Sequence, residues 1–507
     1  MKKMKFLVSI FAIVCMLLTP LYTNTALGNT ATSITYKGNL PSHQNHTYTF
    51  SNSKEGILNV NVLNNNVDYT LLQTTTETVY VSGDILPAGE YQIILSPQQY
   101  TSVNYEVTIS GDVSLTGQTT LPSLNITSPS AANTRLSIGD FDINYSGSSN
   151  GSILNYVLNH NSPINLSSSF SKNLNLIFGL NNIGTHAELA NKNYITDVRT
   201  VVSPGVLRLS GPDRFDTAVA VSKEIQKEGY NIETVIITNG YNFADGLPGV
   251  VLGHKELAPI LTTRAEYLPD VIKNEIIRLG AKKAIILGGT GSVSSNVQTE
   301  LVNLGLSVER ISGADRYEVS TKIAEKIIDE NASSAIIVNG DAYMDALMIS
   351  PYAGNTQQPI LYTRPSSFPA ALKTFLDNHP NINQFTIIGG TGAVSEGVEA
   401  ELAKYGSTYR VSGADRYQVG INIGYGLDFL QRRIVLVSNE SDGVPAALLS
   451  SLKESQMMLT SPAGLPPTVK DYITGLSYEN LLDNIYIVGG TGSVPQATED
   501  YIRSVLK

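Results

Sequence analysis

Arg310-Ile-Ser-Gly-Ala-Asp-Arg-Tyr317 is one of three near-copies of the same eight residues. The others are Arg208-Leu-Ser-Gly-Pro-Asp-Arg-Phe215 and Arg410-Val-Ser-Gly-Ala-Asp-Arg-Tyr417. A second phrase follows each copy: Gly288-Gly-Thr-Gly-Ser-Val293, Gly389-Gly-Thr-Gly-Ala-Val394 and Gly489-Gly-Thr-Gly-Ser-Val494. The openings at 208, 310 and 410 stand 102 and 100 residues apart, and those at 288, 389 and 489 stand 101 and 100 apart. Two signatures held in register over that length mean one module copied three times. The period far exceeds that of solenoid repeats, so each copy is long enough for a core of its own.

Within a copy, short continuous apolar runs alternate with helical periodicity. In the first, Val206–Leu209, Thr234–Ile237, Pro259–Thr262 and Ala284–Leu287 read as strands. About Asp213–Gln226, Leu268–Leu279 and Ser292–Leu304 read as helices. Alternation of this kind implies a parallel sheet covered on both faces. The expected fold class is therefore α/β, as three tandem Rossmann-like α/β/α modules spanning 204–308, 309–408 and 409–507. Residues 29–203 read differently. Short alternating runs such as Ile57–Val62, Tyr91–Leu95, Tyr105–Ile109 and Leu174–Phe178 sit between Asn, Ser, Gly and Pro clusters. A break near 116–124 predicts two all-β sandwich-like domains, 29–118 and an immunoglobulin-like 119–203.

The first residues give an address. Lys2, Lys3 and Lys5 precede an apolar run from Phe6 to Leu18, and Ala26-Leu27-Gly28 offers small residues for cleavage. That pattern predicts a secretory signal peptide over 1–28 and a secreted mature chain with no transmembrane segment. Its only cysteine, Cys15, lies in that segment, so no disulfide, thiolate metal site or cysteine nucleophile is expected beyond it. No C-terminal sorting signal is found, and covalent attachment is not expected. The formal charge is −10, or −13 without the three leading lysines, which argues against bulk attraction to nucleic acid.

Each eight-residue phrase sits where a strand turns into a helix, which is where open parallel sheets bind ligands. Two readings stand for its second arginine. Arg214, Arg316 and Arg416 form anion sites with helix N-termini, or they pair with Asp245, Asp345 and Asp442 and fix loops. Arg264 and Arg364 follow the third strand in copies one and two, whereas copy three has Ser461 there. With Arg208, Arg310 and Arg410 these make eight candidate polymer-binding arginines. Asp213, Asp315 and Asp415 are expected as helix caps. The loop glycines Gly289, Gly291, Gly390, Gly392, Gly490 and Gly492 are expected to shape tight turns, with a sugar- or phosphate-contacting role as the other reading. The loops lack the Lys-[Ser/Thr] of a nucleotide P-loop. The histidines at 43, 46, 160, 186, 254 and 379 form no metalloprotease motif, and there is no Gly-x-Ser-x-Gly elbow. No catalytic residue, cofactor or metal is expected.

Taken together, the three Arg-x-Ser-Gly-x-Asp-Arg-[Phe/Tyr] phrases and their Gly-Gly-Thr-Gly partners resemble the cell wall binding repeat 2 family. The resemblance covers about 206–507. It implies a Gram-positive surface protein of the clostridial S-layer type, in the cell wall or S-layer. Three modules about a pseudo-threefold axis would hold it noncovalently to an anionic wall polysaccharide or teichoic-acid-like polymer. Residues 29–203 would be displayed for spacing or adhesion, toward S-layer proteins or host ligands. The alternative is a cell wall hydrolase, an N-acetylmuramoyl-L-alanine amidase, or a modifier of one. Copy three departs from the pattern, so three equal sites are not implied.

Overall fold

A computed structural model describes residues 31–64, 66–98, 102–159, 161–438 and 440–506. The signal segment, His160 and Asn439 lie outside the described residues. The chain divides into two compact units, Met1–Ser203 and Pro204–Lys507.

In the first unit the alternating runs form antiparallel strands. Tyr36, Tyr48, Phe50, Tyr91, Leu58 and Ile109 share one core. Ile126, Tyr145 and Phe170 share another with Leu154, Tyr156, Ile183 and Val201. The second core lies between a three-stranded sheet (Leu124–Ser128, Asp142–Ser149, Ser169–Asn175) and strands of a much larger one. That larger sheet does not stop at the expected boundary near 118. The strand Tyr194–Ser203 pairs with Gly179–Glu188, and through Tyr194–Asp197 it also pairs with Gln44–Thr47. Separate sandwiches would leave both edges open, and an unpaired edge costs its backbone hydrogen bonds. Here each edge satisfies the other. Asn193 reinforces the join, accepting from Thr49 N at 2.8 Å and donating to Gln118 O at 2.7 Å.

The second unit contains three four-stranded parallel sheets. The first has the order Ile260–Thr263, Thr234–Asn239, Lys283–Leu287, Ser307–Ile311. Val235, Ile236 and Ile237 are all fully buried, so both faces are covered. The second sheet repeats the order with Ile360–Thr363, Ser334–Asn339, Gln384–Ile388 and Ser407–Val411. Each fourth strand is the one that opens the next repeat. The third sheet, Gln456–Leu459, Arg433–Val437 and Asn484–Val488, is completed from the front of the unit, where Gly205–Leu209 pairs in parallel with Asn484–Val488. The opening strand assigned in sequence to 204–308 thus lies in the last sheet. Placed there, it turns what would be an exposed apolar edge into a paired one.

Three equivalent helices hold the repeats together: Gly249–Lys255, Tyr343–Thr356 and Glu440–Leu452 pack pairwise on one another. His254, Gly354 and Ser451 each follow the repeat aspartate (Asp245, Asp345, Asp442) by nine positions, and they meet. His254 Nδ1 lies 2.7 Å from Ser451 Oγ. A Cβ on Gly354 would stand 2.2 Å from Ser451 Oγ, so only glycine fits. Burial pushes His254 down from 6.5 to about 4. Its unfolded form therefore takes up a proton that the folded form refuses, and stability falls as pH drops from about 6.5 to about 4. Asp245 and Asp345, whose carboxyls burial raises, act in the opposite sense. Replacing His254 with Gln is expected to remove about 3 kcal/mol of the acid-side loss, read as a flatter unfolding free energy between pH 6.5 and 4.

Candidate functional site

The two repeated phrases are bonded to each other. Arg310 Nη1 donates to Gly288 O at 2.9 Å and Val293 O at 2.8 Å, while its Nε bonds Gln298. Arg410 Nη1 donates to Gly389 O at 2.7 Å and pairs with Glu399 at 2.7 Å. Arg208 crosses to the last repeat, donating to Gly489 O at 2.8 Å and Val494 O at 3.0 Å and pairing with Glu499 at 2.8 Å. These three arginines clamp the glycine loops. Sequence reasoning missed their partners. Gln298, Glu399 and Glu499 recur with the repeat spacing, and that was the available signal.

A Cβ on Gly289, Gly291, Gly390, Gly392, Gly490 or Gly492 would meet nothing within 4 Å. The constrained position is the one before. Gly288 has φ +106°, and a Cβ there would lie 2.5 Å from Asp245 Oδ2; Gly389 repeats this with Asp345 at 2.8 Å. Asp245 and Asp442 are buried, and Asp345 is partly buried. Burial raises the Asp245 carboxyl, opposed by the Ser292 hydroxyl and by the charge of Arg316 from the following repeat. Burial likewise raises Asp345, opposed by Arg416. The charge of Arg316 thus reaches Asp245, and that of Arg416 reaches Asp345, each in the preceding repeat.

Asp213, Asp315 and Asp415 cap the helices that begin at Arg214, Arg316 and Arg416. Arg214 Nη1 donates to Gly240 O at 2.6 Å, and its guanidinium lies 4.0 Å from the Tyr241 ring centre. Arg316 Nη1 reaches Gly340 O, Asp341 and the Tyr343 hydroxyl at 2.8–2.9 Å. Arg416 is exposed.

The cations after the third strand are outward too. Arg264 is exposed and ringed by Phe215, Tyr241 and Tyr267 at 5.4–5.7 Å. Tyr241 and Tyr267 are each about half exposed. Arg364 is half exposed, stacks on Tyr317 at 4.4 Å, and meets Asp315 only at 3.8 Å. A half-wet guanidinium among aromatic faces keeps its donors for an anion while the rings offer apolar surface. The tyrosines, other than Tyr317, were not singled out in sequence, because exposed aromatics in loops carry no periodicity. No group of three His, Cys, Asp or Glu is placed to hold a metal among the described residues. No helix among them is long and apolar enough to cross a membrane.

Residues 208–298, 310–399 and 410–499 each match the model of the cell wall binding domain 2 family. The chain belongs to that family. Cell wall binding domain 2 repeats thus make up more than half of it, and it is a wall-associated surface protein. It is 30% identical over 302 residues to N-acetylmuramoyl-L-alanine amidase LytC of Bacillus subtilis (strain 168), covering 59% of this chain and 58% of LytC. It is also 30% identical over 295 residues to the amidase enhancer of that organism, covering 58% of this chain and 39% of the enhancer. The chain thus spans well under two thirds of either relative. Its fold matches Cwp6 from Clostridium difficile with a TM-score of 0.57 at 22% identity, over 76% of this chain and 68% of Cwp6.

Proposed function

We propose that the three repeats grip an anionic glycan of the bacterial wall noncovalently, without turning it over. They are read as Rossmann-like modules about a pseudo-threefold axis. Mutual packing of the three equivalent helices and the closing strand Gly205–Leu209 support that arrangement. The binding surface consists of Arg264 and Arg364 with their aromatic neighbours, with Arg214 and Arg316 lying deeper and Arg416 exposed in the third repeat. The observation that carries this reading is the half-exposed stacking of Arg364 on Tyr317, echoed by Arg264 among three rings. Ser461 replaces the arginine in the third repeat, so the polymer's charge is met mainly by two repeats. Linked weak sites on a repetitive polymer gain through effective concentration. Residues 29–203, read as β domains carried behind a signal segment of 1–28, serve as spacer or adhesive surface.

Likeness to LytC and the amidase enhancer favours a second reading, in which the chain cuts the wall or assists an enzyme that does. Purified full-length protein is expected to sediment with intact walls, to bind walls stripped of their anionic polymer at least tenfold less, and to release no peptidoglycan fragments. In Arg264→Gln/Arg364→Gln, wall binding is expected to fall about tenfold or more with the fold intact by circular dichroism. Undiminished binding to stripped walls contradicts the polymer reading, and fragment release supports the lytic one.

A further inference from the structure

The three repeats differ in the space between the helix that follows the eight-residue phrase and the helix that follows the third strand. In the first repeat these are Arg214–Gln226 and Asp270–Leu279, and buried polar bonds tie them together. Ser222 Oγ donates to Glu275 at 2.6 Å, and Arg278 bonds both Glu275 and Gln226. In the third repeat Tyr425 packs edge-on against Tyr472, whose hydroxyl bonds Gln456 at 2.6 Å. In the second repeat the helices are Arg316–Ile327 and Ala370–Asn378. Short side chains, Ala370, Ala371 and Thr374, face Thr321 there, and a groove of about 630 Å³ opens between the helices. That volume falls within the roughly 300–1,000 Å³ usual for small-molecule sites.

Most charge on the rim is already matched. Lys322 pairs with Glu318 at 2.7 Å, and His379 meets Glu325 at 2.8 Å. Arg364 is the exception. Its ion contact with Asp315 is 3.8 Å long, and both side chains are about half exposed. The helix start nearest the third strand carries Ala370, where the first repeat has Asp270, so no carboxylate faces Arg364 from that position. Apolar surface comes from Phe368 and Pro369 at one end and Phe375 on the floor.

We infer that this groove is a subsite peculiar to the second repeat, taking one hexose unit that bears a single phosphate. Its guanidinium partner is Arg364, whose planar fork suits two phosphate oxygens. The sugar ring lies along Phe368 and Pro369, and the hydroxyls of Thr321 and Thr374 face its own. The inference rests on the wall-glycan reading and sharpens it, singling out one selective site per chain.

Glucose 6-phosphate titrated into the full-length protein by calorimetry is the direct probe, with glucose and inorganic phosphate as separate arms. Saturation at one site per chain is expected, with each partial probe at least tenfold weaker. Thr374→Trp, at an exposed helix position, is expected to weaken glucose 6-phosphate at least tenfold, and Arg364→Gln to do the same. Asn274→Trp, the counterpart in the first repeat, leaves the affinity unchanged. Inorganic phosphate binding as tightly as the sugar phosphate overturns the subsite, as does a stoichiometry of three or an unaffected Thr374→Trp. Native protein that sediments with walls yet shows no sugar-phosphate binding overturns this inference alone; protein that ignores walls overturns the reading beneath it.

Discussion

With Val206 and Leu209 both changed to Asp, the third repeat is expected to lose its sheet while the first keeps its own. Both side chains are buried in the strand Gly205–Leu209, whose partner is Asn484–Val488. Each change forfeits about 1.5–3 kcal/mol of aliphatic burial and sets a carboxylate in an apolar layer, which adds several kcal/mol more. The sum reaches the roughly 5–15 kcal/mol that keeps a domain folded. Arg208 goes with the strand, so Gly489 O, Val494 O and Glu499 lose their donor. Hydrogen exchange locates the damage. Amides of Arg433–Val437 and Asn484–Val488 should exchange at the rate of an opened sheet, and those of Thr234–Asn239 should stay slow. The reverse pattern, with Thr234–Asn239 opened first, would return the strand to the repeat that follows it and sink the closure described above.

The same strand shows what the sequence made legible. Strand and helix order could be read from continuous apolar runs such as Ala284–Leu287 and from the helical spacing of Phe215, Ala218, Val221 and Ile225. Parallel pairing followed from that alternation. Which sheet receives Ser307–Ile311 or Gly205–Leu209 could not be read, because either placement leaves every local pattern unchanged. Contacts between repeats decide it: Arg310 on Gly288 and Val293, and Arg208 on Gly489 and Val494. For the same reason the sequence offered Arg316 a pairing with Asp345 as one of two readings, whereas its charge also reaches Asp245 of the preceding repeat. Among the candidate arginines, Arg264 and Arg364 directly follow the strands Ile260–Thr263 and Ile360–Thr363, as the apolar runs indicated. Their aromatic surroundings come from loops that only the fold brings together, Tyr241 after one strand and Tyr267 after another. In the first unit, alternation marked the strands, but nothing local announced that Tyr194–Asp197 would pair with Gln44–Thr47.

That pairing places a charged cluster inside the first unit, and removing one member is expected to be costly. Asp197 is fully buried and Arg199 nearly so. Arg199 Nε donates to Asp197 Oδ1 at 2.6 Å and its Nη1 to Ser130 O at 2.8 Å, while Gln44 donates to Asp197 Oδ2 at 2.9 Å. Arg199→Met keeps most of the packing volume and leaves the buried carboxylate with only Gln44 and His43, and removing one partner of a buried ion pair typically costs about 3–5 kcal/mol. For a unit of this size that is a drop of about 6–20 °C in its melting transition. Arg199→Met/Asp197→Leu should recover most of the loss, since an apolar pair needs no counter-charge. Equal melting of single and double variants would show that packing by Arg199, not its charge, holds the join. The acid side gives an independent check. Burial pushes the Asp197 carboxyl up, but hydrogen bonds from His43 and Arg199 and the guanidinium charge outweigh it, leaving the group below its ordinary 3.8. A depressed carboxylate stabilises the fold above its unfolded value and ceases to do so as pH falls through the folded one. The advantage of native protein over Arg199→Met should therefore be largest near neutral pH and shrink with acidification, because protonated Asp197 no longer needs a cation.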